Sequence, residues 1–86
     1  MTEFVMPGPA SIAPGAYPGG VVIQVYAVPS GVLLQTSKAG VLASAAYIAG
    51  RDHDVAEMRK PSGTNGFCLV AFDGDTGRRF SADEWL

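Results

Sequence analysis

Residues 21–36 have the sequence VVIQVYAVPSGVLLQT, and this stretch decides the fold because it predicts a β-hairpin. Residues 21–28 alternate between an aliphatic face and a face that carries Gln24 and Tyr26, as expected of a strand. The turn lies at residues 29–31, where proline fixes φ and glycine accepts a positive φ. Residues 32–36 then form the second strand of the hairpin.

A helix is predicted over residues 38–49, with Ser37 as its N-cap and Gly50 as the residue that ends it. The side chains spaced to face the sheet are those of Val41, Leu42, Ala45, Ile48 and Ala49. The opposite face is small and uncharged, with Ala39, Ala43, Ser44, Ala46 and Tyr47. A helix that is apolar nearly all round is usually covered on both sides. We therefore predict a partner-binding face made by Ala39, Ala43, Ala46 and Tyr47.

The rest of the chain predicts a polar connector and three further strands. Residues 51–54 form the connector, residues 55–60 form a short edge strand, and the wholly apolar residues 67–72 form a central strand. A tight turn at residues 73–77 leads to a return strand at residues 78–80, and a terminal turn packs Trp85 against the core. The predicted class is α+β, a small antiparallel sheet of about five short strands in the order β-β-α-β-β-β with one helix on one face.

Residues 1–20 are predicted to form an extended arm in front of a single compact domain at residues 21–86. Four prolines and four glycines in the arm exclude a regular helix or a central strand. The arm nevertheless carries Phe4, Met6, Ile12 and Tyr17, which are side chains that disordered segments usually lack. We therefore expect the arm to pack on its own domain or on a neighbour, with these four residues in contact with a partner.

Charge is distributed very unevenly along the chain. No charged side chain occurs in the 34 residues between Glu3 and Lys38, whereas twelve of the fourteen charges lie from Arg51 onward. Charged residues make up 16% of the chain, below the typical fraction of about a quarter. An uncharged half is either buried in the fold or covered by another molecule, so this asymmetry indicates an interaction.

Length, net charge and cysteine content limit the class of protein. The 86 residues suffice for one small core with a thin stability margin. A net charge of −2 argues against bulk attraction to a polyanion. The single cysteine, Cys68, excludes an intrachain disulfide, and the first residues lack the basic region of a signal peptide. Prolines and a turn interrupt the apolar stretches before they reach the length of a membrane span, so we expect a cytoplasmic protein.

Residues 69–76, LVAFDGDT, resemble the start of a haloacid-dehalogenase-type phosphotransferase. In that family one aspartate attacks phosphorus and the other handles protons, which would give these roles to Asp73 and Asp75. The family motif opens a much larger parallel domain, however, and its threonine falls one position later than Thr76. Only ten residues follow Thr76 here, so we interpret the segment as a hairpin turn.

The other candidate sites for chemistry fall short of their ligand requirements. A calcium loop that starts at Asp73 has Arg78 where glycine is needed. His53 is the only imidazole, whereas a catalytic zinc ion needs three protein ligands. Cys68 lies in an apolar strand and is interpreted as a small buried hydrophobic residue. We therefore expect no catalysis, no cofactor and no metal.

Two basic pairs are also candidates for partner contacts, namely Arg59 with Lys60 and Arg78 with Arg79. Together with aromatic residues they would suit RNA or DNA. Carboxylates lie near both pairs in the sequence, which favours an ordinary solvated surface.

The function predicted from the sequence is a small non-enzymatic module that binds another protein or further copies of itself. Small cofactor-free chains of this build are common among phage and mobile-element products that block host machinery, anti-CRISPR proteins included. Inhibition of a larger host complex is therefore expected by analogy of size and architecture only. One alternative is a structural or assembly subunit, such as a virion component, whose arm reaches a neighbouring copy. The other is a small RNA- or DNA-binding module.

Overall fold

The computed structural model describes residues 9–86, which form an α+β fold with a three-stranded antiparallel sheet and one long helix. The elements in chain order are β1 (Val21–Val28), β2 (Leu33–Ala39), a 3-10 turn (Leu42–Ser44), α1 (Ala45–Arg59), β3 (Gly66–Asp73) and a short helix α2 (Ala82–Trp85). The strand order is β2-β1-β3, so β1 is central and both other strands are edges. The predicted α+β class is confirmed.

The predicted hairpin is formed by β1 and β2. The Ala27 N–H donates to the Val32 carbonyl at 2.9 Å, and Gly31 takes the positive φ of 79° that the turn requires. Pairing continues to Val21 opposite Ala39, so β2 extends beyond the predicted residues 32–36. Leu34 is an extra residue where the register shifts, which is a β-bulge.

The helix predicted over residues 38–49 is wrong at both ends. Residues 38 and 39 belong to β2, because strand pairing with β1 persists to that point. Ser37 therefore lies in a strand and caps no helix, and the α-helix starts only at Ala45. Gly50 lies inside α1 and does not end it.

The predicted connector at residues 51–54 and the strand predicted at residues 55–60 are both parts of α1. The buried residues of the helix are Ala45, Ala49, Asp52 and Ala56, spaced four, three and four positions apart. This is the period of a helix face and differs from the period of two that a strand requires. An exposed glycine in a helix costs about 1 kcal/mol. The turns beyond Gly50 continue the helix and bury Asp52 and Ala56, and Ala56 packs against the sheet.

The return strand predicted at residues 78–80 is reduced to an isolated bridge between Arg79 and Phe72. The Phe80 N–H donates to the Ala71 carbonyl at 2.8 Å, after which the chain turns into α2. Together with the helical residues 55–60, this leaves three strands in the described chain where about five were predicted. The strand predicted at residues 67–72 is confirmed as most of β3. Its predicted central position is wrong, because β1 is the central strand and β3 lies at an edge of the sheet.

Both faces of the sheet are buried. The face toward α1 packs against the small side chains of that helix and against Trp85, through Val21, Ile23, Val25, Ala27, Leu34, Ala39 and Ala71. The face turned away from α1, called the second face here, is lined by Val22, Tyr26, Cys68, Val70 and Phe72. Ile12 from the arm packs on this second face.

The terminal turn is confirmed as α2. The Ser81 N–H donates to the Glu84 carboxylate at 2.7 Å, which is half of a capping box. Trp85 is buried in the core beside Ala45 and Ala49. Within residues 9–86, none of the helices combines the length and the apolar character needed to cross a membrane.

Candidate partner-binding surface

Four exposed and uncharged side chains gather where the chain enters α1. Val41 precedes the 3-10 turn, Ala43 lies within it, and Ala46 and Tyr47 occupy the first turn of α1. Ala43 precedes Ala46 by three positions and Tyr47 by four, and this spacing places side chains on one side of a helical segment. Tyr47 is 72% exposed and Val41 is 59% exposed. The prediction that Val41 faces the sheet is wrong, because the helical segment starts only after it and its backbone is extended. These four residues are called the Tyr47 surface.

Ala39 was predicted to share this surface, but the structure places it elsewhere. It is the last residue of β2 and is buried in the core with Val21 and Ala45. The reason is that the strand, and not the helix, extends over this position. Ala39 is therefore a packing residue.

The uncharged surface does not continue along the whole of α1. Beyond Gly50 the exposed residues include Arg51, Asp54 and Glu57, so the second half of the helix presents charge to solvent. Met58 is 84% exposed among these charges. The Tyr47 surface is thus limited to the N-terminal end of the helical segment.

The first basic pair lies at the end of α1 and already has partners within the chain. Arg59 donates from Nη1 to the Leu34 carbonyl at 3.2 Å and to the Gln35 side chain at 2.6 Å. Arg59 therefore supplies a hydrogen-bond donor to a backbone carbonyl at the bulge in the edge strand β2. Lys60 contacts Glu57 with an Nζ–Oε2 distance of 3.1 Å.

The second basic pair lies beside β3, at the other edge of the sheet. Arg78 forms a two-pronged contact with Glu84, with N–O distances of 3.0 and 3.3 Å, and its guanidinium lies 4.8 Å from the centre of the Phe80 ring. Arg79 donates to the Pro9 carbonyl at 3.3 Å. The two pairs are on opposite edges and do not form one continuous basic patch.

The contact between Arg78 and Glu84 predicts a measurable titration. The hydrogen bonds from Arg78, and next the Ser81 N–H, lower the pKa of Glu84 from 4.5 to about 2. Because the pKa is lowered on folding, the contribution to stability is present above pH 4.5 and is lost as the pH falls through about 2. NMR titration of the Glu84 carboxyl carbon should give this low midpoint, and Arg78→Gln should raise it. A midpoint near 4.5 in the unmodified protein would contradict the contact.

Residues of the arm lie on the arm's own domain. Phe4 and Met6 fall outside the described residues. The Ile12 N–H donates to the Gly77 carbonyl at 3.0 Å, and the Tyr17 N–H donates to the Gly74 carbonyl at 3.3 Å. The Tyr17 side chain is partly exposed, whereas that of Ile12 packs on the second face.

The Asp-x-Asp segment acts as a turn in the structure. The Asp73 carboxylate accepts the Asp75 N–H at 2.9 Å, and this bond is the main reason that the pKa of Asp73 is lowered. The Asp75 carboxylate accepts the Gly19 N–H at 2.9 Å. No group of three or more metal-ligating side chains occurs within residues 9–86.

Asp52 is a feature that the sequence analysis missed. It lies on the buried side of α1 and is 3% exposed, and its Oδ2 atom has no hydrogen-bond partner within the described chain. The preceding alanines at positions 45 and 49 place it on the buried stripe, and this pattern was obscured because the helix was predicted to end before it. The next residue, His53, packs edge-on against the Phe67 ring at 4.9 Å between centroids.

No protein-family model matches the chain, and comparisons with curated proteins and with solved structures found no match either.

Proposed function

We propose that this protein is a non-enzymatic protein-binding module and that its partner docks on the Tyr47 surface. One observation carries the proposal, namely the exposure of Tyr47 and Val41 on a part of the helical segment that has no charge. Tyrosine is enriched among the residues that dominate binding energy, because a large apolar ring and a hydroxyl come with few rotatable bonds.

The alanines beside Tyr47 favour a protein as the partner. Ala43 and Ala46 leave the backbone of the helical segment accessible, so a helix or strand of the partner can approach closely without meeting long side chains. A nucleic-acid partner has less support. All four candidate cations, Arg59, Lys60, Arg78 and Arg79, already contact groups of this chain.

The form of this function that we favour is inhibition of a larger host complex. A chain of 86 residues that presents an uncharged patch can block a site on a larger protein by occupying it. Small phage and mobile-element inhibitors work in this way, and the proposal rests on that analogy of size and architecture.

The test introduces an arginine at the Tyr47 surface and compares it with a matched control. Ala46→Arg places an unpaired charge at the proposed interface, whereas Met58→Arg places the same side chain on the charged half of the same helix. Both variants should keep the circular dichroism spectrum of the wild type, because exposed substitutions rarely change stability by more than about 0.5 kcal/mol. Ala46→Arg should weaken binding by at least about tenfold. The reason is that burial of an unpaired charge at an interface costs several times the roughly 0.5 kcal/mol of an exposed substitution.

Binding is measured by quantitative pull-down from the source organism and by titration with the captured protein. Self-association is followed in parallel by light scattering. Retention of binding by Ala46→Arg would contradict the proposal. Equal losses of binding in both variants would also contradict it. Such a result would show that an added positive charge weakens binding wherever on the helix it is placed.

A further inference from the structure

The arm is held on the domain mainly through backbone atoms. Four hydrogen bonds join it to the turn at residues 73–78: Ile12 N–H to Gly77 carbonyl at 3.0 Å, Gly15 N–H to Asp75 carbonyl at 2.8 Å, Tyr17 N–H to Gly74 carbonyl at 3.3 Å, and Gly74 N–H to Gly20 carbonyl at 2.9 Å. A fifth bond runs from the Gly19 N–H to the Asp75 carboxylate at 2.9 Å. These contacts follow one another in opposite directions along the two segments, so the arm lies along the turn. The arm is not a regular strand, because its own backbone turns at residues 13–16 and again at residues 17–20.

The turn is shaped to receive the arm because two of its residues lack side chains. A Cβ atom at Gly77 would collide with the Ile12 carbonyl, and one at Gly74 would collide with the Tyr17 carbonyl. Both glycines are buried where the arm crosses them. The close approach of the two backbones therefore depends on these glycines.

The arm nevertheless has little buried surface of its own. Among residues 9–19 only Ile12 is partly buried, and all the others are exposed. Segments with few buried apolar contacts and exposed backbone hydrogen bonds open at a lower free energy than the whole domain. Gly19, with φ of 73°, and Gly20 join the arm to β1, and glycine can adopt other backbone angles there more readily than any other residue.

The arm reaches the apolar second face of the sheet through Ile12. The five side chains that line the second face are each at most 7% exposed. Arg79 connects this face to the arm, because it donates to the Pro9 carbonyl and also lies beside the Cys68 thiol. Burial raises the pKa of Cys68, and Arg79 opposes this rise.

We propose that residues 9–18 form a strap that opens as a unit, turning at Gly19 and Gly20, and that its opening lifts Ile12 off the second face and breaks the Arg79–Pro9 contact while the sheet and α1 stay folded. The closed strap thus controls access to a second apolar surface, separate from the Tyr47 surface. This inference stands independently of the proposed function. It concerns an equilibrium of the protein alone, whatever its partner is.

Cys68 is a built-in reporter for strap opening, because it is the only cysteine in the chain and lies on the second face. The rate at which a small thiol reagent such as iodoacetamide labels it measures how often this face becomes accessible. Gly77→Ala should detach the strap. Gly63→Ala is the matched control, since Gly63 also has a positive φ, of 88°, but has no atom near the added Cβ.

Labelling of Gly77→Ala should be at least about tenfold faster than labelling of Gly63→Ala, the factor expected for loss of one or two backbone hydrogen bonds. Both rates are measured without denaturant, where circular dichroism shows the native sheet and helix. In the wild type, labelling at low denaturant should depend on denaturant concentration more weakly than global unfolding does, because strap opening exposes less surface. Equal rates in the two variants, or labelling that follows global unfolding in the wild type, would overturn the proposal.

A milder variant covers the case in which Gly77→Ala does not fold. Asp75→Ala removes the carboxylate that accepts the Gly19 N–H, and Asp83→Ala removes an exposed carboxylate on α2 as its control. Asp75→Ala should label about threefold faster than Asp83→Ala, in keeping with one lost hydrogen bond. Identical labelling rates for this pair would overturn the strap.

Discussion

Replacement of Phe72 with alanine is expected to lower the free energy of unfolding by about 3–5 kcal/mol, the usual cost of deleting a buried phenylalanine ring. Phe72 is fully buried on the second face and lies opposite Val22 of the central strand. Small domains have only about 5–15 kcal/mol of stability in total. The variant should therefore be near the limit of folding at room temperature.

Chemical denaturation followed by circular dichroism measures this loss, and Phe67→Ala provides the control. Phe67 lies in the same strand but is only partly buried, at the edge beside His53. Its replacement removes the same ring and should cost clearly less, because less apolar surface leaves a buried environment. A loss at Phe72 no greater than that at Phe67 would show that the second face is not a packed core in solution.

A large effect at Phe72 would bear directly on the role of the arm. The helix covers only one face of the sheet, yet the residues of the other face are just as buried. Ile12 is the described arm residue that packs there. A three-stranded sheet with two apolar faces needs a cover on each, so packing of Ile12 on the second face contributes to the stability of the domain.

The hairpin and the apolar strand could be predicted because their signals are local and agree with one another. Residues 21–28 combine alternation, β-branched side chains and a following turn with proline and glycine, and the structure forms β1 there. Six consecutive apolar residues at positions 67–72 likewise predicted a strand within β3. That strand lies at an edge, and Arg78 to Phe80 add only a bridge beside it.

The helix was misplaced because two local signals conflicted with long-range packing. Ser37 and Gly50 suit a helix start and a helix end, but pairing with β1 holds the chain extended to Ala39. The alternation of residues 55–60 suggested a strand, whereas Ala56 packs against the sheet as part of a longer helix. Propensity is a weak guide where tertiary contacts decide.

The later start of the helix also explains why three of the four residues predicted for the partner-binding face of the helix are exposed and one is buried. Ala43, Ala46 and Tyr47 are exposed because they still fall on the outer side of the helical segment, whereas Ala39 became a buried strand residue. Docking of the arm had no side-chain signature, since backbone atoms make most of its bonds. The glycine-rich turn gave no sign that it receives another segment.

Asp52→Ala is expected to raise the free energy of unfolding by about 1–3 kcal/mol, the range associated with a buried polar group that lacks a hydrogen-bond partner. The carboxylate lies between Ala49 and Ala56 on the buried stripe of α1, and its Oδ2 atom has no partner in the described chain. Alanine at this position continues the small-residue stripe that packs against the sheet. The change therefore removes a buried carboxylate oxygen that lacks a hydrogen-bond partner and leaves the helix–sheet contact in place.

Asp54→Ala controls for the higher helix propensity of alanine, because Asp54 is an exposed residue of the same helix. The difference between the two variants in urea denaturation isolates the effect of burial. A lower stability of Asp52→Ala than of Asp54→Ala would show that a water molecule or a cation satisfies the carboxylate in solution. Greater stability would mean that the chain keeps a destabilising polar group on the buried side of α1. Partner binding by Asp52→Ala, measured in the same way as for Ala46→Arg, then shows whether the Asp52 carboxylate contributes to binding.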